Sequence, residues 1–321
     1  MKKMTLRLLP PSLLKPLLLK SPSHLSPLPQ LIPINATWFL PNDPQKRTGR
    51  TAHNLLRIPH SRFFDIDEVK DHTINLPHMF PSPKTFVDSM RRLKIRREDH
   101  LVFYDSFEQG ILAAPRAAWT ARLMGHEKVS VLNNFKVYVQ EGYEVVKGEE
   151  DILDYEGREL SSEQEYPEDI TAEVDRIVSY DEILTLAKEN LSLLSTGKLS
   201  HDIQILDARP SGRFTGKDPE PRAGLSSGHL PGSTSVPFVS LLGNNGEFLE
   251  PGKLREILES AGVKDDGKTK ITSCGTGVTA SVIDLALEEA GFGEAVGKRR
   301  VYDGSWTEWA QKADKELILK A

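Results

Sequence analysis

The chain uses one set of landmarks twice at a nearly constant interval, and this constrains its fold more than any other feature. Ile58-Pro59 returns as Leu230-Pro231, an offset of 231 − 59 = 172. Asp105 closes the apolar run Leu101-Val102-Phe103-Tyr104; Cys274 follows Lys270-Ile271-Thr272-Ser273, an offset of 274 − 105 = 169. Leu132-Asn133-Asn134 returns as Tyr302-Asp303-Gly304, an offset of 304 − 134 = 170. Three landmarks in one order at one spacing mark a duplicated unit. A length of 321 residues suits two domains of ordinary size.

Within each copy, short apolar runs alternate with helical stretches, which predicts α/β architecture with parallel strands. Ile203-Gln204-Ile205-Leu206-Asp207 and Lys270-Ile271-Thr272-Ser273 read as strands. Ala280 to Ala290 reads as a helix with Gly291 at its C-terminal end. Ser179-Tyr180-Asp181-Glu182 has the form of a capping box and predicts a helix start. In the first copy, Leu101 to Asp105 is the strand and Ala117 to Met124 the helix, ending near Gly125.

Met1 to Asn42 contains no Asp or Glu, and Lys2, Lys3, Arg7, Lys15 and Lys20 are interleaved with leucine, serine and proline. Such a stretch is similar to a mitochondrial transit peptide; Pro10, Pro11 and Pro16 argue against a long amphipathic helix there, and a disordered tail is the other reading. Residues 1–30 are expected to be a basic, proline-rich extension, 31–147 a first domain, 148–175 an acidic linker or strap, and 176–315 a second domain. The expected location is mitochondrial, with the cytosol as a second compartment. A net charge of −5 argues against direct nucleic-acid binding, and no apolar run is long enough to span a membrane. Arg91-Arg92-Leu93-Lys94-Ile95-Arg96-Arg97 reads as a solvated helix end, or else as a docking patch for an acidic partner.

One cysteine excludes an internal disulfide and a cysteine-rich zinc site. A lone cysteine is ordinarily a small buried hydrophobe, but the surroundings of Cys274 need another explanation. Ser273-Cys274-Gly275-Thr276-Gly277-Val278-Thr279-Ala280 follows a strand and precedes a helix. A sulfur there lies in a curl of backbone N–H groups at the positive end of a helix, which favours thiolate. Gly275 and Gly277 allow the tight turn. A cysteine phosphatase shares the strand–loop–helix layout, but its chemistry calls for an arginine where Ala280 stands and a histidine where Ser273 stands. With no second cysteine, a persulfide on Cys274 cannot be resolved within the chain, so an external acceptor must take the sulfur.

Cys274 to Ala280 resembles the active loop of the mercaptopyruvate sulfurtransferases, within the rhodanese superfamily. The resemblance extends from about Pro33 to Trp309 through Asp207-Ala208-Arg209, Gly212-Arg213-Phe214, Glu220-Pro221-Arg222, Gly228-His229-Leu230-Pro231-Gly232 and Tyr302-Asp303-Gly304-Ser305-Trp306. Ala36-Thr37-Trp38, Phe63 to Asp67, Leu76-Pro77-His78-Met79 and Ala114-Pro115-Arg116 continue it in the first half. It implies two tandem rhodanese-like domains, each a parallel sheet flanked by helices, the first without a nucleophile and the second catalytic. Asp105 stands where the first would carry its cysteine.

The resemblance also implies roles. Cys274 carries the persulfide. Asp67, His78 and Thr276, a threonine where the family pattern has serine, form a proton relay. Arg213 and Arg222 hold the donor, beside Gly275, Gly277, Val278 and Thr279. His229 is structural. Thiosulfate-preferring relatives carry basic residues in the loop; here it is uncharged, which favours 3-mercaptopyruvate, releasing pyruvate, over the thiosulfate dianion. The acceptor implied is cyanide, a small thiol, thioredoxin or a sulfur-carrier system, and no metal or organic cofactor is called for. The alternatives are a thiosulfate:cyanide sulfurtransferase and a persulfide relay in tRNA thiolation, as in some fungal-type relatives; a non-catalytic rhodanese scaffold is disfavoured by the retained Cys274 and both arginines. Three positions depart from the pattern in the first half: Asn35 for Asp, His60 for Gly, and Asn133-Asn134 for two glycines.

Overall fold

The computed structural model describes residues 6–149, 153–168, 170–194, 203–293 and 298–321. It contains two compact units, treated separately below.

The first unit holds β1 (Leu8–Leu9), α1 (Pro11–Lys20), β2 (Leu31–Asn35), α2 (Gly49–Leu55), β3 (Arg62–Phe63), α3 (Pro83–Arg92), β4 (His100–Tyr104), α4 (Ala114–Leu123), β5 (Val129–Leu132), α5 (Phe135–Gln140) and α6 (Leu153–Glu156). Its strands form one parallel sheet in the order β1-β5-β4-β2-β3. The second unit holds β6 (Ile177–Val178), α7 (Tyr180–Leu194), β7 (Ile203–Asp207), α8 (Ser211–Thr215), β8 (Ser233–Ser235), α9 (Pro251–Ser260), β9 (Thr269–Ser273), α10 (Ala280–Glu289), β10 (Arg299–Tyr302) and α11 (Ser305–Lys312). Its sheet is also parallel, in the order β6-β10-β9-β7-β8. The two orders coincide strand for strand, so the duplication read from spacing is a duplication of topology. Buried central strands explain the apolar runs: Leu101 to Tyr104 and Ile271 are fully enclosed.

Local details repeat too. At the end of β2 the Asn35 side chain accepts the Thr37 N–H at 2.9 Å; at the end of β7 Asp207 accepts the Arg209 N–H at 2.9 Å. Asn35 therefore keeps the turn that an aspartate would make. His60, where the family resemblance implied glycine, adopts φ = 55°, the left-handed conformation that glycine serves best. Asn134 takes no left-handed turn. It is extended and caps α5, accepting the Val137 N–H at 3.1 Å. In α7, Ser179 accepts the Glu182 N–H, and Gly291 ends α10 with φ = 75°.

The boundary expected at residue 31 falls earlier. Leu8–Leu9 pairs with β5, and Leu9 and Leu14 are buried, so part of the stretch read as an extension is built into the first sheet. Pro10 and Pro11 sit at the start of α1, where a missing N–H does no harm. Residues 1–5 of that extension lie outside the described residues.

The stretch expected as linker or strap packs on the first unit. Arg158 is fully enclosed and grips Asp99 through two hydrogen bonds of 2.7 and 3.0 Å, and it also reaches the carbonyls of Ser26, Leu28 and Lys94. Tyr166 is buried beside His126. Residues 150–152 and 169 of this stretch lie outside the described residues. The basic cluster meets acids of its own chain: Arg91 pairs with Glu165 and Glu168, Arg92 with Glu68, and Arg96 with Glu98.

Each unit also borrows from the other half of the sequence. Ile74–Met79 belongs to the second unit and Asn244–Glu247 to the first. Gly246 lies against Gly110, where an added Cβ would come within 2.8 Å of backbone, so only glycine allows this approach. The first borrowed segment carries His78, one of the residues to which the family resemblance gives a role.

Candidate functional site

In the second unit β9 ends at Ser273 and the chain curls from Cys274 to Thr279 before α10 begins. Gly277 takes φ = 80°, which permits the curl. Cys274 is 2% exposed, and Thr276 and Val278 are buried with it.

The first turn of α11 grips this loop. Cys274 N–H donates to Ser305 Oγ at 3.2 Å, and that hydroxyl donates to the Tyr302 carbonyl at 2.8 Å. The Cys274 carbonyl accepts from Trp306 N–H at 2.9 Å. The Gly275 carbonyl accepts from Thr307 N–H at 2.9 Å and from the Thr307 hydroxyl at 2.7 Å. From α10, the Ser281 hydroxyl donates to the Gly277 carbonyl at 3.3 Å. Three loop carbonyls, those of Cys274, Gly275 and Gly277, which would repel a sulfur anion, are thus engaged by donors. Ser305 adopts φ = 50°, a left-handed conformation uncommon for serine, and the surrounding hydrogen bonds hold it there.

His78 reaches the loop from its borrowed segment. Its Nδ1 and the Thr276 hydroxyl share a hydrogen bond of 3.0 Å. His78 is 2% exposed and also left-handed, with φ = 58°. The two residues, 198 apart in sequence, are therefore in contact within one unit, at a residue of the cysteine loop.

Arg213, on α8, abuts the loop: a Cβ on Gly275 would lie 3.3 Å from its Nη2. Its guanidinium donates to Glu220 Oε2 through Nη2 and through Nε at 3.1 Å. Glu220 Oε1 accepts from Arg209 at 2.8 Å. Arg209 in turn is bidentate on Asp207, reaches the Gly228 carbonyl, and lies 3.9 Å over the Trp306 ring. Arg222 is half-buried. Asp67 belongs to the first unit, where its carboxylate accepts from Trp38 Nε1 at 2.8 Å. His229 stacks on Phe214 and bonds the Phe214 carbonyl, with burial lowering its pKa.

Three residues of this site carried no role in the sequence reading: Glu220, Ser305 and Thr307. Glu220 stood within a family landmark, but its bridge between two arginines depends on folding. Ser305 and Thr307 follow Gly304 at the start of a helix, and spacing does not reveal that this helix clasps a loop 30 residues earlier.

The first unit offers an internal comparison. Asp105 follows β4 as Cys274 follows β9. Its buried carboxylate accepts the N–H groups of Leu112, Ala113 and Ala114 at 2.8–3.1 Å. Burial raises its pKa to about 6, against the pull of those N–H groups. The donors that gather at the start of α4 are thus occupied by the chain's own carboxylate.

The Rhodanese-like domain family matches residues 186–312. The Saccharomyces cerevisiae thiosulfate sulfurtransferase TUM1 is 36% identical over 305 residues, covering 91% of this chain and 92% of that protein. The crystal structure of Tum1 has a TM-score of 0.82 at 34% identity, covering 98% of each chain. The probable 3-mercaptopyruvate sulfurtransferase of Schizosaccharomyces pombe is 36% identical, covering 90% of this chain and 89% of that one. The sulfur transferase subunit of yeast mitochondrial complex I has a TM-score of 0.76 at 34% identity, covering 98% of this chain and 99% of that one. A duplicated parallel fold, a clasped cysteine loop and relatives matched along nearly their whole length agree: the chain belongs to the two-domain rhodanese family of 3-mercaptopyruvate and thiosulfate sulfurtransferases.

Proposed function

We propose that this sulfurtransferase takes sulfur from 3-mercaptopyruvate through a persulfide on Cys274. The Cys274 thiolate attacks the donor's thiol sulfur. The new S–S bond forms as the donor's C–S bond breaks, and the electron pair leaves on the enolate of pyruvate. The thiol proton moves to the enolate carbon, giving pyruvate and Cys274–S–S⁻. Thr276 and His78 carry that proton, with Asp67 as the third member on the strength of the family resemblance. Arg213 and Arg222 hold the carboxylate and carbonyl of the donor. The backbone at Gly275, Gly277, Val278 and Thr279 receives the persulfide.

The observation that carries the donor assignment is the hydrogen bond between Thr276 and His78. A proton path serves a thiol donor, whereas thiosulfate brings no proton to move. The uncharged loop agrees with a monoanionic donor. A relative named as a thiosulfate sulfurtransferase favours the second reading, thiosulfate as donor. Purified protein given each donor with a thiol acceptor separates them: faster pyruvate than sulfite release supports the first reading, and the reverse supports the second.

The acceptor is external, because the chain has no second cysteine: cyanide, or a thiol such as that of thioredoxin or a sulfur-carrier protein. A mitochondrial location is supported by the acid-poor basic start of the chain and by the likeness to a mitochondrial complex I subunit. A cleaved presequence would have to end before Leu8, or the first sheet would lose β1. Among the described residues no helix is long and apolar enough to cross a membrane.

A further inference from the structure

We propose that Glu220 is a positioning residue that sets donor selectivity by cancelling the charge of Arg213. This rests on the reading above that Arg213 holds the donor.

Glu220 is a poor choice if the only task is to attract an anion. Its side chain is 3% exposed and is paired with the guanidinium that abuts the cysteine loop. A neutral acceptor could orient Arg213 equally well, whereas a carboxylate also subtracts a charge. The rest of the cluster makes that subtraction complete. Arg209 is already matched by Asp207, through Nε at 3.0 Å and Nη2 at 2.6 Å. The charge of Glu220 therefore falls to Arg213, and the four residues Asp207, Arg209, Arg213 and Glu220 sum to zero.

A site made less positive penalises donors in proportion to their charge. 3-Mercaptopyruvate with its thiol protonated is a monoanion and thiosulfate a dianion, so each unit of positive charge removed weighs twice as much on thiosulfate. Arg213 still offers directed N–H donors to a carboxylate, but its long-range pull on a dianion is spent on Glu220. Removing the carboxylate's charge should raise the ratio of kcat/KM for thiosulfate to that for 3-mercaptopyruvate on the order of tenfold.

The test compares Glu220→Gln, Glu220→Ala and Glu220→Asp, with kcat/KM measured for both donors through pyruvate and sulfite release. The ratio of the two constants cancels any loss of folded protein, and the alanine variant avoids facing an amide to a guanidinium. The expected result is a raised ratio in both neutral variants and a ratio near wild type in the aspartate variant, whatever its absolute activity. An equal rise in the aspartate variant would assign the effect to shape and overturn the inference. So would an unchanged or lowered ratio in the neutral variants, if Arg213→Ala still impairs both donors. Should Arg213→Ala leave both donors unaffected, the reading of Arg213 itself falls, and the inference with it.

Discussion

Thr276→Val removes one hydroxyl from the site and little else. Valine matches threonine in shape, and Thr276 is 4% exposed, so the replacement stays enclosed and the loop keeps its other fastenings. What is lost is the 3.0 Å hydrogen bond to His78 Nδ1. For stability this is a modest change, about 1 kcal/mol for a typical hydrogen bond. For the reaction it breaks the path proposed above for the donor's thiol proton. A positioned acid–base group is worth about 10²–10⁴-fold in rate, so kcat/KM for 3-mercaptopyruvate should fall by about that factor. Thiosulfate carries no such proton, and its conversion to sulfite should change by less than about threefold. The assay follows pyruvate and sulfite release in parallel on one preparation, with thermal unfolding checked beside it. Equal losses for both donors would mean that the hydroxyl only shapes the loop. No loss for 3-mercaptopyruvate would refute the relay.

Further expectations follow from the packing. Arg158→Ala leaves Asp99 buried without its guanidinium and should destabilise the first unit by about 3–5 kcal/mol in denaturant unfolding; a change below about 1 kcal/mol would contradict the clamp. His126 is enclosed, and burial lowers its pKa to about 4. Between pH 6.5 and 4 the unfolded chain binds the proton more readily, so stability is lost as pH falls through this window, by about 3 kcal/mol. Asp105, raised to about 6, works in the opposite sense, favouring the fold at low pH and losing that contribution as pH rises through 6. Comparison of wild type with His126→Gln at pH 7 and pH 4.5 isolates the histidine, and an identical pH dependence in the two would refute its role. Gly275→Ala would place a Cβ 3.3 Å from Arg213 Nη2, the far end of a flexible side chain. The fold should survive, while KM for 3-mercaptopyruvate rises; unchanged kinetics would argue against Arg213 as the donor's holder.

Much of this architecture was legible because burial writes itself into spacing. Two enclosed parallel sheets demand paired apolar runs, and a duplicated topology gives them a fixed offset. The same offset reached further than it was taken: 178 − 9 = 169 carries Val178 of β6 onto Leu9 of β1. A two-residue edge strand among prolines has no periodicity of its own, so composition dominated there and suggested an extension. The linker was ambiguous for a similar reason. Acidic, polar sequence reads as solvated, yet the anchors Tyr155, Arg158 and Tyr166 bury themselves one at a time. In the site, the cysteine loop is local and was read directly. His78 came only through resemblance, because no sequence rule shows that a six-residue segment of the first half packs with the second unit. Glu220 and Ser305 act through tertiary hydrogen bonds, which leave no periodic signature.

The account turns on sulfur resting on Cys274. The measurement closest to it is the intact mass of the protein after 3-mercaptopyruvate is added without an acceptor, followed by peptide mapping. The account predicts a chain heavier by one sulfur atom, located on Cys274, with one pyruvate released per site and the mass restored by a thiol acceptor. Pyruvate release that persists in Cys274→Ser, or sulfur found away from Cys274, would contradict it.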